Sequence, residues 1–287
     1  MHFDLAAQPD LASLLRVNLT YFWRHGRLPS LERPTRFTEL VQLRKLYDRD
    51  VRMPIMADKV AMKSIVKERL GLEWVVPMLW SGGELPPESL WAQPIVIKAR
   101  HGCNQNVVVR DAKADWSALR TSSERWTRRA YGRWLDEWLY TEIPRGLLIE
   151  PFIGTSGELP IDYKVYVFHG EATHVQAHLG RATDHRWVVH DRHWHALSGS
   201  AATVKRPSAL AAMLAAAEVL AEGFSFVRVD FYQPDDHPLF GEMTFYPGSG
   251  LDPFDPPWLD QAMGRLWLNP GDRGLTVGQT IAVPRAA

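Results

Sequence analysis

Apolar side chains recur at helical spacing near the start of the chain. Leu11, Leu15 and Leu19 follow one another at intervals of about one helical turn, and Phe22 continues the same stripe. A stripe of this kind is typical of an amphipathic helix. We therefore predict a helix over residues 11–25.

Two further helices are predicted before the first strand. Residues 36–47 repeat the helical spacing of apolar side chains. A helix is also predicted over residues 58–70. Asp58 suits the N-cap position of this helix, and Gly71 suits the position that follows its last residue. The chain therefore begins with a predicted helical lead-in, residues 1–72.

Strand patterns dominate the rest of the chain. Short runs rich in valine, isoleucine and aromatic residues alternate with clusters of turn-forming residues. Strands are predicted over residues 94–99, 106–110, 147–153, 162–168, 171–179 and 186–190, followed by a hairpin within 226–250. Helices are predicted over residues 122–141, 207–222 and 257–268. This order predicts an α+β fold with mostly antiparallel sheets.

The composition is that of an ordinary globular protein. Of the 287 residues, 46% are hydrophobic and 23% are charged, and the formal net charge is +0. Without a basic excess, nucleic acid is not expected as a partner. No apolar run reaches the roughly 20 residues of a membrane helix, and no signal peptide is evident. With its single cysteine, Cys103, the chain is predicted to be cytoplasmic and to lack an integral membrane segment.

The hairpin carries the most informative charges. Asp230 lies on its first arm and Glu242 on its second, within otherwise apolar strands. Burying two carboxylates is costly unless positive charge lies between them, and such oxygen ligands suit Mg²⁺. Arg228 lies two residues before Asp230 and therefore on the same strand face. The interpretations are a metal site beside a phosphate-binding arginine, or a structural ion pair of Arg228 with Asp230.

A lysine and a turn farther upstream offer positive charge and backbone donors. Lys98 lies in a strand rich in valine and isoleucine, so it needs an anionic partner or an edge position that reaches solvent. In the turn that follows, Gly102 permits close backbone approach, and the N–H groups of a turn can line an anion site. The alternative for this turn is a plain hairpin loop.

Two segments between this turn and the hairpin extend the pattern. In residues 147–154, backbone groups flanked by Ile149 and Phe152 can meet the edge of an adenine. Asp162 and Lys164 share one strand face, where the acid can hold ribose hydroxyls and the lysine a phosphate. The alternative for this pair is a salt bridge within the strand that contributes little to the stability of the fold.

The order of these features resembles the ATP-grasp superfamily, and more closely its TupA-like branch, which is linked to teichuronopeptide and surface-polysaccharide biosynthesis. The resemblance is carried by PTRFTELVQLRKLYDRD, ADKVAMKSIVKERLG, PIVIKARHG, DYKVYVFHGE and a hairpin that ends in PLFGEMTFYPGSG. It implies an ATP-grasp fold, in which two α+β subdomains clasp ATP between antiparallel sheets. The implied subdomains are residues 73–145 and 146–287.

The resemblance implies ATP as a cofactor and suggests roles around it. Lys59 and Lys98 look like the two phosphate-side lysines, and residues 150–152 look like the adenine hinge. Asp162 looks like the ribose acid, with Glu158 as a second candidate. The residues expected at the nucleotide are Lys59, Lys98, His101, Gly102, Ile149, Glu150, Pro151, Phe152, Glu158, Asp162 and Lys164.

The resemblance also implies Mg²⁺, with Asp230, Glu242 and Thr244 as ligands. Arg228 and Lys164 would be the catalytic cations at the phosphates. Thr244 stands where most ATP-grasp enzymes have an asparagine. Because a hydroxyl is expected to be a weaker Mg²⁺ ligand than an amide oxygen, Thr244 implies one ion and leaves a second open.

The implied reaction joins a carboxylate to an amine at the expense of ATP, through an acylphosphate. The carboxylate is expected on a small molecule or saccharide and the amine on an amino acid, in surface-polysaccharide or secondary-metabolite biosynthesis. Two alternatives stay open, a kinase with the same ATP site and a non-catalytic nucleotide-binding module. The lead-in stands in place of the family's usual N-terminal substrate domain, so acceptor-binding residues are not implied.

Overall fold

Alternating apolar and polar side chains build two antiparallel sheets with helices around them. The computed structural model describes residues 9–92, 94–111, 113–154, 158–181, 183–198 and 204–270. The strands are β1 (Trp80–Gly82), β2 (Ile95–Ala99), β3 (Asn106–Val109), β4 (Leu147–Pro151), β5 (Asp162–Phe168), β6 (Glu171–Leu179), β7 (Arg186–Asp191), β8 (Phe226–Tyr232) and β9 (Leu239–Thr244). The predicted α+β class and the predicted hairpin are confirmed.

Eight α-helices accompany these strands in the described part of the chain. They are α1 (Leu11–His25), α2 (Phe37–Tyr47), α3 (Arg52–Ala57), α4 (Ala61–Leu70), α5 (Trp116–Arg128), α6 (Leu139–Glu142), α7 (Leu210–Leu220) and α8 (Trp258–Leu268). Among the described residues, no helix combines the length and the apolar character that crossing a membrane requires.

The larger sheet has five strands in the order β7-β6-β5-β8-β9. Val165 of β5 and Val229 of β8 are buried on one face, where α7 packs against β5, β6 and β8. Because successive residues of a strand point to opposite sides, Lys164 and Asp230 lie on the other face. We call this second side the polar face, and it holds most of the charges predicted to be functional.

The smaller sheet has four strands in the order β1-β4-β2-β3. Its buried side chains, including Ile97 and Ile149, form a second core with Trp116 and Leu119 of α5. Lys98 lies on β2, between β4 and β3. An edge position for Lys98, one of the two sequence-based alternatives, is therefore wrong.

The helical lead-in packs into the main core. Phe37 of α2 contacts Phe226 of β8 edge to face, with 4.8 Å between the ring centroids. The buried Arg44 of α2 donates a hydrogen bond of 2.8 Å to the carbonyl of Phe226, and its guanidinium lies 4.5 Å from the centroid of the Trp267 ring. The three-part division of the chain into a lead-in and two subdomains stays a prediction.

Helix α1 has the predicted bounds, but its leucine stripe does not face the core. Leu11 is 71% exposed and Phe22 is 53% exposed, whereas Val17 and Tyr21 are buried. The phenol of Tyr21 meets the hydroxyl of Thr38 on α2, at 2.9 Å. Contact with α2 therefore determines which side of α1 is buried. That side is not the leucine stripe that the helical spacing predicts.

The long helix predicted over residues 122–141 is wrong. Helix α5 ends at Arg128, and α6 begins only at Leu139. Gly132 and Asp136 both adopt left-handed backbone conformations, with φ of 82° and 57°. A right-handed helix cannot pass through such residues, so the chain turns twice between the two helices.

The aromatic contacts of Phe226 predict a large stability effect. Replacing Phe226 with alanine removes ring contacts to Phe37 and Trp267 and opens a cavity, which should cost about 3–5 kcal/mol of the free energy of unfolding. The measurement is urea denaturation followed by tryptophan fluorescence. The matched control is Phe22→Ala on the exposed side of α1, expected within about 0.5 kcal/mol of the parent. Equal effects of the two substitutions would contradict this account of the core.

Candidate functional site

Three charged side chains form one row across the polar face. Lys164 of β5 lies directly opposite Asp230 of β8, and Asp230 lies directly opposite Glu242 of β9. Like charges in directly opposite positions repel, so Asp230 and Glu242 need cations around them. We call Lys164, Asp230 and Glu242 the charged row.

Asp230 is held by two cations. Arg228 donates from Nε to Oδ1 and from Nη2 to Oδ2, both at 2.7 Å. Nζ of Lys164 lies 2.5 Å from Oδ2 of Asp230 and 2.7 Å from Oδ2 of Asp162. Burial would lower the pKa of Arg228, but the pairing with Asp230 raises that pKa above its ordinary value. Both sequence-based alternatives, the Arg228–Asp230 ion pair and the Asp162–Lys164 salt bridge, are therefore present.

Glu242 is the most accessible member of the charged row, with a side chain that is 27% exposed. One of its carboxylate oxygens lies 3.3 Å from Nζ of Lys59, and the other lies 4.0 Å from Nη2 of Arg228. Burial would raise the pKa of Glu242, but Lys59 outweighs it, with help from Lys164 and Arg228, and the pKa falls below its ordinary value. Glu242 is therefore an ionised carboxylate that a ligand can reach.

Thr244 follows Glu242 on the same strand face and already has a partner. It lies directly opposite Arg228, and its Oγ1 accepts a hydrogen bond of 3.1 Å from Nη2 of that arginine. The predicted metal ligand thus lies beside the charged row but is engaged by a cation.

Lys59 connects the charged row to the turn after β2. Its Nζ donates a 2.8 Å hydrogen bond to the carbonyl of Gly102, so this glycine joins the site through an oxygen. The neighbouring Asp58 pairs with Arg100 and is not the N-cap of α4 that the sequence predicts. Burial would lower the pKa of Lys59, but Glu242 raises it above the ordinary value. Two consecutive residues of the lead-in thus contact both sheets.

A second group of charges lies between α4 and the smaller sheet. We call Lys63, Lys98 and Glu150 the lysine–glutamate cluster, in which each lysine Nζ lies 2.5 Å from an oxygen of Glu150. Burial would raise the pKa of Glu150, but the two lysines bring it below its ordinary value. Burial lowers the pKa of Lys63 despite its contact with Glu150. Two cations against one carboxylate leave positive charge that suits an anionic ligand.

Two residues expected at the nucleotide have partners elsewhere. His101 is fully buried, and its Nε2 lies 3.1 Å from the carbonyl of Trp126 on α5. The side chain of Ile149 belongs to the core of the smaller sheet, and its carbonyl accepts a 2.8 Å hydrogen bond from the N–H of Leu79. Their nucleotide roles stay predictions.

The rest of the predicted hinge is also engaged within the protein. The N–H of Phe152 donates to the carbonyl of Pro94 at 3.0 Å, and the guanidinium of Arg110 lies 4.7 Å from the centroid of the Phe152 ring. Pro151 is half-buried at the end of β4. Glu158 is exposed, and no ion pair joins it to either charge group among the residues that the structure describes.

Two cations of the site were missed by sequence reasoning. Lys63 pairs with Glu150. Its position four residues after Lys59 could have indicated that it belongs to the same site. Arg181, between β6 and β7, places Nη1 2.9 Å from Oδ2 of Asp162. Nothing in the sequence around Arg181 indicates that contact, because it depends on the pairing of β5 with β6.

Asp230 and Glu242 offer the type of donor atom that a magnesium ion prefers, although the oxygens of Asp230 are engaged by Arg228 and Lys164. They offer carboxylate oxygens from directly opposite residues of one hairpin. Within the described ranges, no group of three or more histidine, cysteine, aspartate and glutamate side chains could hold a metal. Mg²⁺ is usually held by one or two carboxylates together with phosphates and water, so a pair is sufficient. The metal roles of both residues stay predictions.

The family model of TupA-like ATP-grasp proteins matches residues 39–268, which include the charged row and the lysine–glutamate cluster. No curated protein matches the chain significantly.

Several solved structures are similar over two thirds or more of the chain. The D-alanine–D-alanine ligase from Bacillus anthracis complexed with ATP has 14% identity and a TM-score of 0.43 over 67% of this chain. The L-amino acid ligase from Bacillus licheniformis has 13% identity and a TM-score of 0.47 over 74%. The N5-carboxyaminoimidazole ribonucleotide synthetase from Thermus thermophilus has 15% identity and a TM-score of 0.41 over 67%. The similar regions cover 55%, 50% and 45% of those chains, about half of their length.

The lysine–glutamate cluster predicts unequal effects of removing its members. Glu150→Gln leaves two largely buried lysines without their carboxylate and should cost about 3 kcal/mol of the free energy of unfolding. Lys63→Met should cost only about 1 kcal/mol, because Lys98 still neutralises Glu150. Urea denaturation of both variants and of the double variant measures the difference.

The matched control for Glu150→Gln is Glu124→Gln, which removes an i,i+4 pair with the exposed Arg128. That substitution should change the free energy of unfolding by less than about 0.5 kcal/mol. If Lys63→Met proved as costly as Glu150→Gln, Lys98 would not share the carboxylate as the distances indicate.

Proposed function

The chain belongs to the TupA-like ATP-grasp family, and from this premise we propose that it is an ATP-dependent carboxylate–amine ligase. The observation that carries the proposal is the charged row, with Arg228 beside it. Buried ion pairs are often no more stable than apolar side chains of similar volume, so a purely structural sheet face has little need of them. A partly open carboxylate beside three cations suits a metal-bound phosphate.

The nucleotide would lie where the two sheets approach each other. Lys59 and Lys98 would bind phosphate oxygens, and Lys63 would join them through its place in the lysine–glutamate cluster. The backbone of residues 150–152 would meet the edge of the adenine, while the side chain of Glu150 holds the two lysines. Asp162 would hold the ribose, a role supported by its two cationic partners, Lys164 and Arg181, which orient the carboxylate.

The proposed reaction has two steps. A carboxylate oxygen of the first substrate attacks the γ-phosphorus of ATP, and the bond from that phosphorus to the ADP oxygen breaks. The products of this step are an acylphosphate and ADP. The nitrogen of an amine then attacks the acyl carbon, and the carbon–oxygen bond to phosphate breaks. The amine gives up one proton to the departing phosphate or a nearby carboxylate, and an amide and inorganic phosphate result.

The cations beside the charged row would act through charge. Arg228 and Lys164 would stabilise the negative charge that grows on the phosphoryl oxygens as the first step proceeds, and fixed cations do so without reorganising. Asp230 holds both cations in place through contacts of 2.5 to 2.7 Å. A Mg²⁺ ion held by Asp230 and Glu242 would add Lewis-acid polarisation of the same phosphate.

The physiological setting is part of the proposal. The family's link to teichuronopeptide and surface polysaccharides supports a saccharide or small-molecule carboxylate and an amino-acid amine as substrates. Assembly of a secondary metabolite is the alternative setting. The need for ATP fits the predicted cytoplasmic location.

Glu242→Gln tests the metal assignment. The amide keeps the shape of the side chain but lacks the negative charge, so turnover should fall roughly 10²–10³-fold. Nucleotide binding should persist in part, because Lys59 and Lys98 are unchanged. The measurements are ADP and phosphate release with candidate acids and amines, and titration of MgATP by calorimetry.

The matched control is Glu142→Gln, on the exposed surface of α6, which should leave both measurements unchanged. Full turnover in Glu242→Gln would show that the metal assignment is wrong. Product mass then separates the two enzymatic functions, because a ligase yields an amide and a kinase yields a phosphate ester or acylphosphate. MgATP binding without ADP release for any acceptor would favour a non-catalytic module.

A further inference from the structure

Helix α1 presents a continuous apolar surface to solvent, which we call the apolar ridge. Its side chains are between 53% and 77% exposed, and they are Leu11, Leu15, Leu19, Phe22 and Trp23. The other exposed residues of this helix are Ala12 and Arg24, at opposite ends. The solvent face of a surface helix normally carries charged and polar residues. A contiguous apolar face therefore indicates a binding surface rather than scattered exposed residues.

A cavity of about 520 Å³ near this helix is lined mainly by arginines, and its described lining contains no carboxylate. We call Arg128, Arg129, Arg133 and Arg145 the arginine cluster. Arg128 pairs with Glu124 at 2.9 Å. The other three arginines form no ion pair among the residues that the structure describes. The cluster therefore keeps positive charge that is available to an anionic partner.

Arg133 links the arginine cluster to the apolar ridge. It begins the short 3₁₀ helix Arg133–Leu135, which packs against α1. Asp136 follows this turn and accepts a hydrogen bond of 3.0 Å from Nε of Arg16. Because Arg16 comes directly after Leu15 on α1, this contact fixes the turn at the edge of the ridge. The apolar ridge and the arginine cluster are therefore neighbours on one surface.

Two exposed tryptophans accompany these features. Trp134 is 73% exposed and directly follows Arg133, and Trp23 is 77% exposed at the end of the ridge. The guanidinium of Arg24 lies 5.5 Å from the centroid of the Trp23 ring. Tryptophan is enriched where lipid headgroups meet acyl chains, because its ring is apolar and its N–H is polar. Tryptophans beside arginines therefore suit a membrane surface.

A second copy of the chain fits this surface less well than a membrane does. The ridge runs for about 18 Å, at about 1.5 Å per residue, and is one helix wide. A stable dimer typically buries about 800 Å² on each subunit, more than such a strip supplies. In a two-fold dimer the same patch also meets itself, so the arginine clusters of the two copies would lie beside one interface.

We propose that the apolar ridge and the arginine cluster form a docking surface for an anionic phospholipid membrane. The ridge would enter the boundary between headgroups and acyl chains, as helices that lie in the membrane plane do. The guanidiniums would bind headgroup phosphates, which accept two hydrogen bonds from one arginine. With its 15 residues, α1 would lie on the membrane without crossing it. The proposal does not depend on the ligase reaction.

The test is cosedimentation of the full chain with two kinds of vesicle. One kind contains phosphatidylcholine alone, and the other contains phosphatidylcholine mixed with phosphatidylglycerol. We expect binding to the mixed vesicles to be at least about fivefold tighter, the factor that roughly one arginine contributes near an anionic surface. Added salt should weaken that binding, because it screens the charges. Failure to bind either vesicle, or equal binding to both, would overturn the proposal.

Leucine variants test the apolar ridge. Leu15→Gln combined with Leu19→Gln should weaken binding to the mixed vesicles at least about tenfold, because two apolar side chains no longer enter the membrane. The matched control combines Leu72→Gln with Leu90→Gln, whose side chains are 64% and 74% exposed outside α1. This control should bind like the parent protein. Equal binding of the two double variants would overturn the role of the ridge.

Arginine variants test the cluster. Arg129→Gln combined with Arg133→Gln should weaken binding to the mixed vesicles about tenfold or more and leave binding to the neutral vesicles unchanged. The matched control, Lys67→Gln combined with Arg206→Gln, removes the same charge from exposed positions on α4 and before α7. An equal loss in this control would mean that only overall charge matters, and would overturn the role of the cluster.

Two further measurements distinguish the other possible occupants. Light scattering without vesicles reports a dimer, and a dimer that Leu15→Gln with Leu19→Gln dissociates would overturn the proposal if vesicles are not bound. Calorimetry with inorganic pyrophosphate reports a small-ligand site in the cavity. Pyrophosphate binding that Arg129→Gln with Arg133→Gln abolishes, without vesicle binding by the parent protein, would also overturn it. Unchanged urea denaturation midpoints show that the variants are folded.

Discussion

Charge balance on the polar face is the constraint on which the rest of the structure depends. Asp230 and Glu242 are directly opposite each other, an arrangement that is destabilising without cations. Lys164 and Arg228 hold the first carboxylate, and Lys59 holds the second. A slip of one residue in β8 would exchange these charges for the apolar residues that pack beneath α7. The site and the core therefore enforce the same strand register.

Lys59 and Asp58 extend this constraint from one sheet to both. Asp58 pairs with Arg100 after β2, while Lys59 contacts Gly102 in the same turn and Glu242 in the hairpin. The lead-in is therefore more than a cover for the core, because two of its side chains make contacts to both sheets. Its first two helices also supply Arg24 and Thr38 to the lining of a cavity beside Arg228.

The local pattern of apolar and polar side chains was sufficient to predict elements in which burial follows a single repeat, such as the strands. It was insufficient where a contact between residues distant in the sequence determines the structure. The strands and the hairpin were predictable because β-branched residues alternate with charges, and Arg228, Asp230 and Glu242 followed from that alternation. The buried face of α1 depends on Tyr21 meeting α2, which no local stripe reveals. Arg181 reaches Asp162 only through strand pairing, and the break between α5 and α6 depends on two left-handed residues.

The pairing of Thr244 with Arg228 bears on how many metal ions the hairpin suits. A hydroxyl oxygen that accepts from a guanidinium at 3.1 Å must give up or share that contact to ligate a cation. Arg228 is itself bound at two points by Asp230, so it has little freedom to move away. Both oxygens of Asp230 are likewise engaged, by Arg228 and Lys164, so Glu242 offers the most accessible oxygens for a metal ion. In the proposed complex, Glu242 and phosphate oxygens would suit one Mg²⁺ ion, and the engagement of Thr244 and Asp230 by cations favours one ion over two.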